Sequence, residues 1–280
     1  MNIGLAIFLT DYSIDVAVVA HRAEQMGFDS LWLPEHPIIP VQFSSPVTFT
    51  DDGKLPKYYY DTVDPFVALG KAAGATKTLK LATGVCLVPE RNPLLLAKEV
   101  ATLDLISGGR FIFGIGAGWL KEETEIMGGD FEHRWGQTKD SVLAMKELWT
   151  KTRSEYHGKY YDFPPVYSFP RPVQRPHPPI VLGGKAARVF ERVVGWGDGW
   201  LPTLISPAEL GEGRQKLNRL AEAAGRDPQT IEVSAFWQTP DPDLVKGHEK
   251  AGAKRVIVPL RSEGEKEVLA QMDDVARKLL

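Results

Sequence analysis

Cysteine is nearly missing from this chain: Cys86 is the only one among 280 residues. An internal disulfide is therefore excluded, as is a cysteine-rich metal site, and a reducing, cytoplasmic setting is expected. An excess of positive charge is missing too. The formal net charge is −3, so nothing electrostatic points to nucleic acid or an anionic membrane as partner. No apolar run approaches the ~18 residues that a membrane-spanning helix needs. Residues Met1 to Val16 carry no basic segment ahead of their apolar run and meet Asp11 and Asp15 early. They are expected to open a strand and a helix rather than to act as a signal peptide.

Several catalytic strings are absent as well. Gly183-Gly184-Lys185 lacks the hydroxyl residue and the upstream glycine of a P-loop. His248-Glu249 begins a zinc-protease string, but Gly252 stands where the second histidine belongs. No serine sits in a G-x-S-x-G elbow. Asp130, Glu132 and His133 have no partner cluster and read as a solvated turn, so no metal is expected.

What remains is a globular composition with 43% hydrophobic residues, enough for an ordinary core. Short apolar runs alternate with helical stretches. The predicted strands are Ile3–Phe8, Ser30–Leu33, Leu79–Val85, Arg110–Ile115, Ile180–Gly183, Gly199–Leu201, Ile231–Phe236 and Arg255–Leu260. Most lack polar alternation, as strands buried on both faces do. Asp64-Pro65, Asn92-Pro93 and Ser206-Pro207 each place a capping side chain before a proline that forfeits no hydrogen bond. Gly27, Gly108, Gly225 and Gly252 mark helix ends. Strand–helix units of roughly 35 residues predict a single (β/α)8 TIM barrel over residues 1–280. The competing architecture is an open doubly wound sheet, which usually has fewer strands. Two long insertions break the rhythm. Pro37–Val63 follows the second strand and so belongs at the catalytic mouth of a barrel; Arg153–Pro179 precedes the fifth strand and belongs at the opposite face.

Four places carry candidate chemistry. Gly114-Ile115-Gly116-Ala117-Gly118-Trp119 ends a strand in side-chain-free backbone, which serves either ligand approach or tight packing. Glu35-His36 follows the second strand directly, and histidine exchanges protons near neutral pH. Thr83-Gly84-Val85 ends the third strand with a glycine, a sign of a bulge or close backbone approach. Gly183-Gly184-Lys185 is expected to open a helix, where free N–H groups and a lysine meet a phosphate, or else form a plain turn.

Together these motifs resemble the bacterial luciferase-like superfamily of flavin and deazaflavin oxidoreductases, and most of all its coenzyme F420 branch. The resemblance rests on Gly27-Phe28-Asp29-Ser30-Leu31-Trp32 running into Glu35-His36, and on Leu81-Ala82-Thr83-Gly84-Val85 with Pro89, Arg91 and Pro93. It continues through Ala101-Thr102-Leu103-Asp104, Ser107-Gly108-Gly109-Arg110 and Gly118-Trp119 to Pro178-Pro179-Ile180, Gly183-Gly184 and Gly197-Asp198-Gly199-Trp200. It implies a TIM barrel whose tricyclic ring lies at the C-terminal mouth, and a non-prolyl cis peptide that matches Gly84–Val85. Thr83, Gly84 and Val85 would back the ring. Ala117, Gly118 and Trp119 would line its edge or the substrate side, and Gly183, Gly184 and Lys185 would meet the phosphate. His36 matches an acid/base position, with Glu35 the matching acidic neighbour. Trp119 stands where sugar-phosphate-oxidising relatives carry a catalytic glutamate, which implies a more apolar substrate. The implied activity is hydride transfer between F420 and a small carbonyl, imine or activated alkene, or the corresponding alcohol. The alternatives are an FMN-dependent monooxygenase and a non-catalytic flavin-binding protein. A homodimer is usual in this superfamily.

Overall fold

The computed structural model describes residues 1–280. Its eleven strands are β1 (Asn2–Ala6), β2 (Ser30–Leu33), β3 (Lys80–Thr83), β4 (Cys86–Leu87), β5 (Phe111–Gly116), β6 (Ser154–His157), β7 (Asp162–Val166), β8 (Ile180–Gly183), β9 (Gly199–Leu201), β10 (Glu232–Ala235) and β11 (Arg255–Pro259). Eight of them form one parallel sheet in the order β3-β2-β1-β11-β10-β9-β8-β5, and β3 pairs with β5 to close it. Leu81 lies opposite Phe111 at the closing seam. The barrel and its two insertions match the architecture expected from the sequence. Each predicted strand is present, with bounds shifted by a few residues at most. The third is interrupted: the Gly84–Val85 peptide is cis, and β4 then pairs with the end of β5 as a short continuation.

Ten helices accompany the strands: α1 (Val16–Met26), α2 (Lys57–Tyr60), α3 (Pro65–Ala75), α4 (Pro93–Ile106), α5 (Lys121–Ile126), α6 (Arg134–Thr150), α7 (Val189–Trp196), α8 (Pro207–Ala223), α9 (Pro242–Lys250) and α10 (Glu265–Leu279). Three of them start at the predicted caps. Asp64 accepts from Val67 N, Asn92 from Leu94 N and Leu95 N, and Ser206 joins Glu209 in a capping box.

The apolar contacts divide in two. A large cluster fills the space between strands and outer helices. A second, inside the barrel, is Ala6, Trp32, Ala82, Ile112, Val181, Leu201, Phe236 and Ile257. That is one residue from each of the eight barrel strands or its immediate end, the layered filling of a closed barrel. Trp32 takes the largest share of this layer, and small neighbours make room for it. At Gly114 the requirement is absolute, since a Cβ would fall 2.0 Å from the Thr83 carbonyl oxygen. Below this layer Arg255, 1% exposed, donates to Asp29 at 2.5 Å and also pairs with Glu232.

The two insertions go to opposite ends. Residues 37–63 lie over the C-terminal mouth. In 153–179, β6 and β7 form an antiparallel hairpin. The following strap is held at the other end of the barrel, where Val173 N and Gln174 N donate to Asp104 and Gln174 Nε2 donates to the Phe111 carbonyl.

Candidate active site

A cavity of about 540 Å³ opens at the C-terminal mouth, within the range of small-molecule sites. Its floor and back are Gly84, Val85 and Phe236, and its walls include Phe8, Tyr58, Tyr59, Phe49, Trp119 and Trp237. Phe49, Tyr58 and Tyr59 come from the 37–63 insertion, so the expectation that this segment sits at the site holds. Its aromatic rings interlock: Tyr59 lies 4.6 Å from Phe8 and 5.4 Å from Phe49, and Phe49 lies 5.5 Å from Trp119. Burial raises the Tyr59 phenol above its ordinary range, so it stays neutral. Leu204 and Trp237 also line the cavity, at φ values of 47° and 62°. Left-handed backbone in non-glycine residues costs of order 1–3 kcal/mol, and such residues cluster at ligand sites.

Five of the sequence-predicted residues meet here: Glu35, His36, Gly84, Val85 and Trp119 all line the cavity. His36 is 9% exposed. Its ring lies 5.1 Å from Tyr59 and 6.1 Å from Trp119. Its Nδ1 is 2.7 Å from Glu123 Oε2, and Glu123 is fully buried. A carboxylate can only accept, so Nδ1 carries the proton and Nε2 is the nitrogen left to exchange one.

Glu35 has a different setting from His36. Its Oε1 accepts from Arg91 Nε at 2.6 Å, and its Oε2 accepts from Leu87 N at 2.7 Å. Both oxygens are engaged, so the carboxylate ties the loop after β2 to the segment after β4. Arg91 also donates to Glu99 and Asp64. Burial opposes its charge, but Glu35 outweighs that and holds the guanidinium firmly protonated.

The other predicted residues stand outside the cavity lining. Thr83 is buried and donates to the Gly114 carbonyl at 2.7 Å. Ala117 is 4% exposed. Gly114 and Gly116 clear the Thr83 carbonyl and the Val85 side chain, where a Cβ would come within 2.0 and 2.8 Å. The glycine string thus serves packing at these two positions. Gly118, at φ +80°, would bring a Cβ 3.1 Å from Glu90 Oε1 and 2.8 Å from Thr124 Oγ1. Gly183 packs on Val85. The expected helix opening at Gly183-Gly184-Lys185 is not there, because α7 begins at Val189. Gly184 has φ +105°, which no helix accommodates, and its carbonyl accepts from Trp200 Nε1 at 2.9 Å. Lys185 Nζ donates to the carbonyl of Leu204, which itself borders the cavity.

Sequence reasoning missed Glu90, Glu123 and the aromatic residues of the insertion. Glu90 is 3% exposed and accepts from Thr124 Oγ1 at 2.9 Å. Burial, and then the nearby Glu123 charge, pushes its carboxyl up to about 8. Lys121-Glu122-Glu123-Thr124-Glu125 reads as a solvated helix face, so only the fold separates buried Glu123 from its exposed neighbours.

The family model for luciferase-like monooxygenases matches residues 14–239. The chain belongs to this family. Within it, an uncharacterized protein of Mycobacterium tuberculosis is 34% identical over 283 residues, spanning 100% of this chain and 99% of its own. The FMNH2-dependent dimethylsulfone monooxygenase of Pseudomonas putida is 35% identical over 128 residues, 44% of this chain and 35% of that enzyme. Among solved structures, an F420-dependent secondary alcohol dehydrogenase in complex with an F420-acetone adduct superposes with a TM-score of 0.76. It shares 18% identity, and the match covers 100% of this chain and 98% of that one. Family members are oxidoreductases or monooxygenases. No helix of this chain is long and apolar enough to cross a membrane.

Proposed function

We propose that this family member is an oxidoreductase that uses coenzyme F420 to transfer a hydride to or from a small, fairly apolar carbonyl, imine, activated alkene or alcohol. The observation that carries this reading is His36. It sits in an aromatic cavity with Nδ1 fixed by Glu123 and Nε2 free for exchange. The cavity volume fits a tricyclic ring with a small substrate beside it, and its aromatic walls suit both.

When bound, a deazaflavin supplies a two-electron hydride donor or acceptor. The protein holds ring and substrate together, excludes water and moves a proton. Gly84 and Val85 back the ring, and Thr83 supports them from behind. Ala117 and Gly118 carry Trp119 to the substrate side. In the reductive direction the substrate heteroatom takes the proton from His36 Nε2; in the oxidative direction Nε2 receives it. Glu35 acts by holding the His36 loop through Arg91 rather than by exchanging a proton. Gly183, Gly184 and Lys185 would be the residues to meet the cofactor phosphate.

The motifs that resemble the F420 branch support the deazaflavin. An FMN-dependent monooxygenase is the second reading, favoured by the segment shared with the dimethylsulfone enzyme. Titrating the purified protein with each cofactor, read by fluorescence, separates them. Saturable binding of F420 and little of FMN is expected; the reverse selects the monooxygenase. Saturable binding of a cofactor that no candidate substrate oxidises or reduces would instead favour a non-catalytic carrier.

A homodimer through α3 and α4 is part of this proposal. Val67, Leu95, Leu105 and Ile106 are exposed apolar side chains on these helices, which a second copy would cover. A single monomeric species in sedimentation velocity would overturn it.

A further inference from the structure

Behind His36, away from the cavity, lies an excess of buried carboxyl groups. Glu35, Glu90 and Glu123 are each no more than 3% exposed. The one guanidinium among them is Arg91, and its donors are taken by Glu35, Glu99 and Asp64. Neither Glu90 nor Glu123 has an arginine or lysine partner. The buried face of α6, which packs on the Val88–Glu90 turn, offers the uncharged Gln137, Thr138 and Ser141. A buried carboxylate without a cation is costly, and the usual relief is to take up a proton.

The hydrogen bonds say which group takes it. Glu123 Oε2 accepts from His36 Nδ1, which suits an anion. Glu90 accepts only the Thr124 hydroxyl. One oxygen on each carboxyl, Glu90 Oε2 and Glu123 Oε1, is buried with no partner. A proton on Glu90 turns one of these two orphan acceptors into a donor.

We propose that Glu123 and Glu90 form a two-carboxyl support behind His36, in which Glu123 is the anion that fixes the ring through Nδ1 and Glu90 is its protonated neighbour. This rests on the reading of His36 as the proton-exchanging group. Both glutamates are positioning residues. When the substrate heteroatom takes the Nε2 proton, the ring is left neutral with its Nδ1–H still on Glu123. The same support holds Nε2 towards the cavity when the proton returns. Keeping Glu90 neutral leaves Glu123 as the one carboxylate behind the ring without an arginine or lysine, Glu35 being held by Arg91.

The sign of the linkage makes Glu90 testable without cofactor or turnover. Its folded-state proton affinity, near pH 8, lies above the ordinary carboxyl value. Stability from this group is therefore full in acid and is lost as pH rises to about 8. Glu90→Gln, which mimics the neutral acid, removes that dependence. Melting temperatures of the cofactor-free wild type and Glu90→Gln are compared from pH 5 to 9. The variant's advantage should grow with pH and level off above about pH 8. Parallel curves overturn the protonated Glu90. Infrared titration of the wild type gives the same answer should the variant misfold, because a carboxylic-acid band must disappear over that interval.

Glu123 is read by nitrogen-15 shifts of the His36 ring in cofactor-free protein. The wild type should show the Nδ1–H tautomer, and Glu123→Ala should redistribute it; an unchanged tautomer overturns the positioning role. In the loaded enzyme, Glu123→Gln should lower kcat roughly 10- to 100-fold, in line with lost support of a catalytic base, and shift the pH profile with cofactor Kd unchanged. If the melting and tautomer results hold but no hydride is transferred, the proposed activity fails and the support stands. If hydride transfer occurs while both results are flat, only the support fails.

Discussion

At the residue scale, the site depends on a histidine whose surroundings divide its two nitrogens. Position after β2 already marked His36 from the sequence, because side chains at strand ends of a barrel face the mouth. What Nδ1 would touch was not legible, since Glu123 is 87 positions away. His36→Ala should cut turnover by about 10²–10⁴-fold, the usual span for a lost general acid or base. Cofactor affinity should stay the same, because the residues proposed to bed the ring are others. Stopped-flow single turnovers beside an equilibrium titration separate the two, and an unchanged single-turnover rate would remove His36 from the chemistry. Trp119 narrows the same site differently. Its indole is set edge-on against Phe49 and His36, which the proposal reads as a wall for a fairly apolar substrate.

At the element scale, α5 is the hub, although it has only six residues. Three consecutive side chains go three ways. Glu122 holds the 37–63 insertion, accepting from Ser44 N at 2.6 Å and from the Ser44 and Ser45 hydroxyls. Glu123 holds His36, and Thr124 meets Glu90. The Ser44 backbone N–H, followed by the two hydroxyls, brings the Glu122 carboxyl down to about 2 against the pull of desolvation. A depressed carboxyl contributes stability above its unfolded value and loses it as pH falls towards the folded one. The insertion should therefore loosen between about pH 4.5 and 2 in the wild type, and already at neutral pH in Glu122→Ala. Hydrogen exchange across residues 37–63 measures this. Equal protection in variant and wild type at pH 7 would show that the aromatic contacts alone hold the lid. The sequence marked this insertion as functional by its length and place. The anchor was invisible because a run of charged residues on a short helix has no periodicity to betray which one turns inward.

At the scale of the whole molecule, closure of the barrel brings the ends of distant strands to one mouth and Arg255 to the opposite end. Arg255 is 1% exposed and reaches Asp29 and Glu232 across the closed sheet. Removing Arg255 leaves Asp29 to Lys80 and Glu232 to Lys254, at a cost towards the lower end of the roughly 3–5 kcal/mol of a broken buried ion pair. Arg255→Ala should lose about that much in chemical denaturation, while a change under 1 kcal/mol would show that water replaces the guanidinium. The eight strand–helix units, three of their caps and the two insertions were readable, because each is encoded locally by apolar runs, Ser/Asp/Asn-Pro pairs and glycine stops. So was the placement of His36 and Trp119 at strand ends. The tertiary structure alone decided that Glu35 is tied to Arg91, that Gly184 opens no helix, and that Gly114 and Gly116 make room for the end of β3 and the chain after it. It alone joined Glu123 and Glu90 to His36. Apolar patterning records which segments are buried, but the partner of a buried polar group is chosen by long-range closure, and no local pattern carries that information.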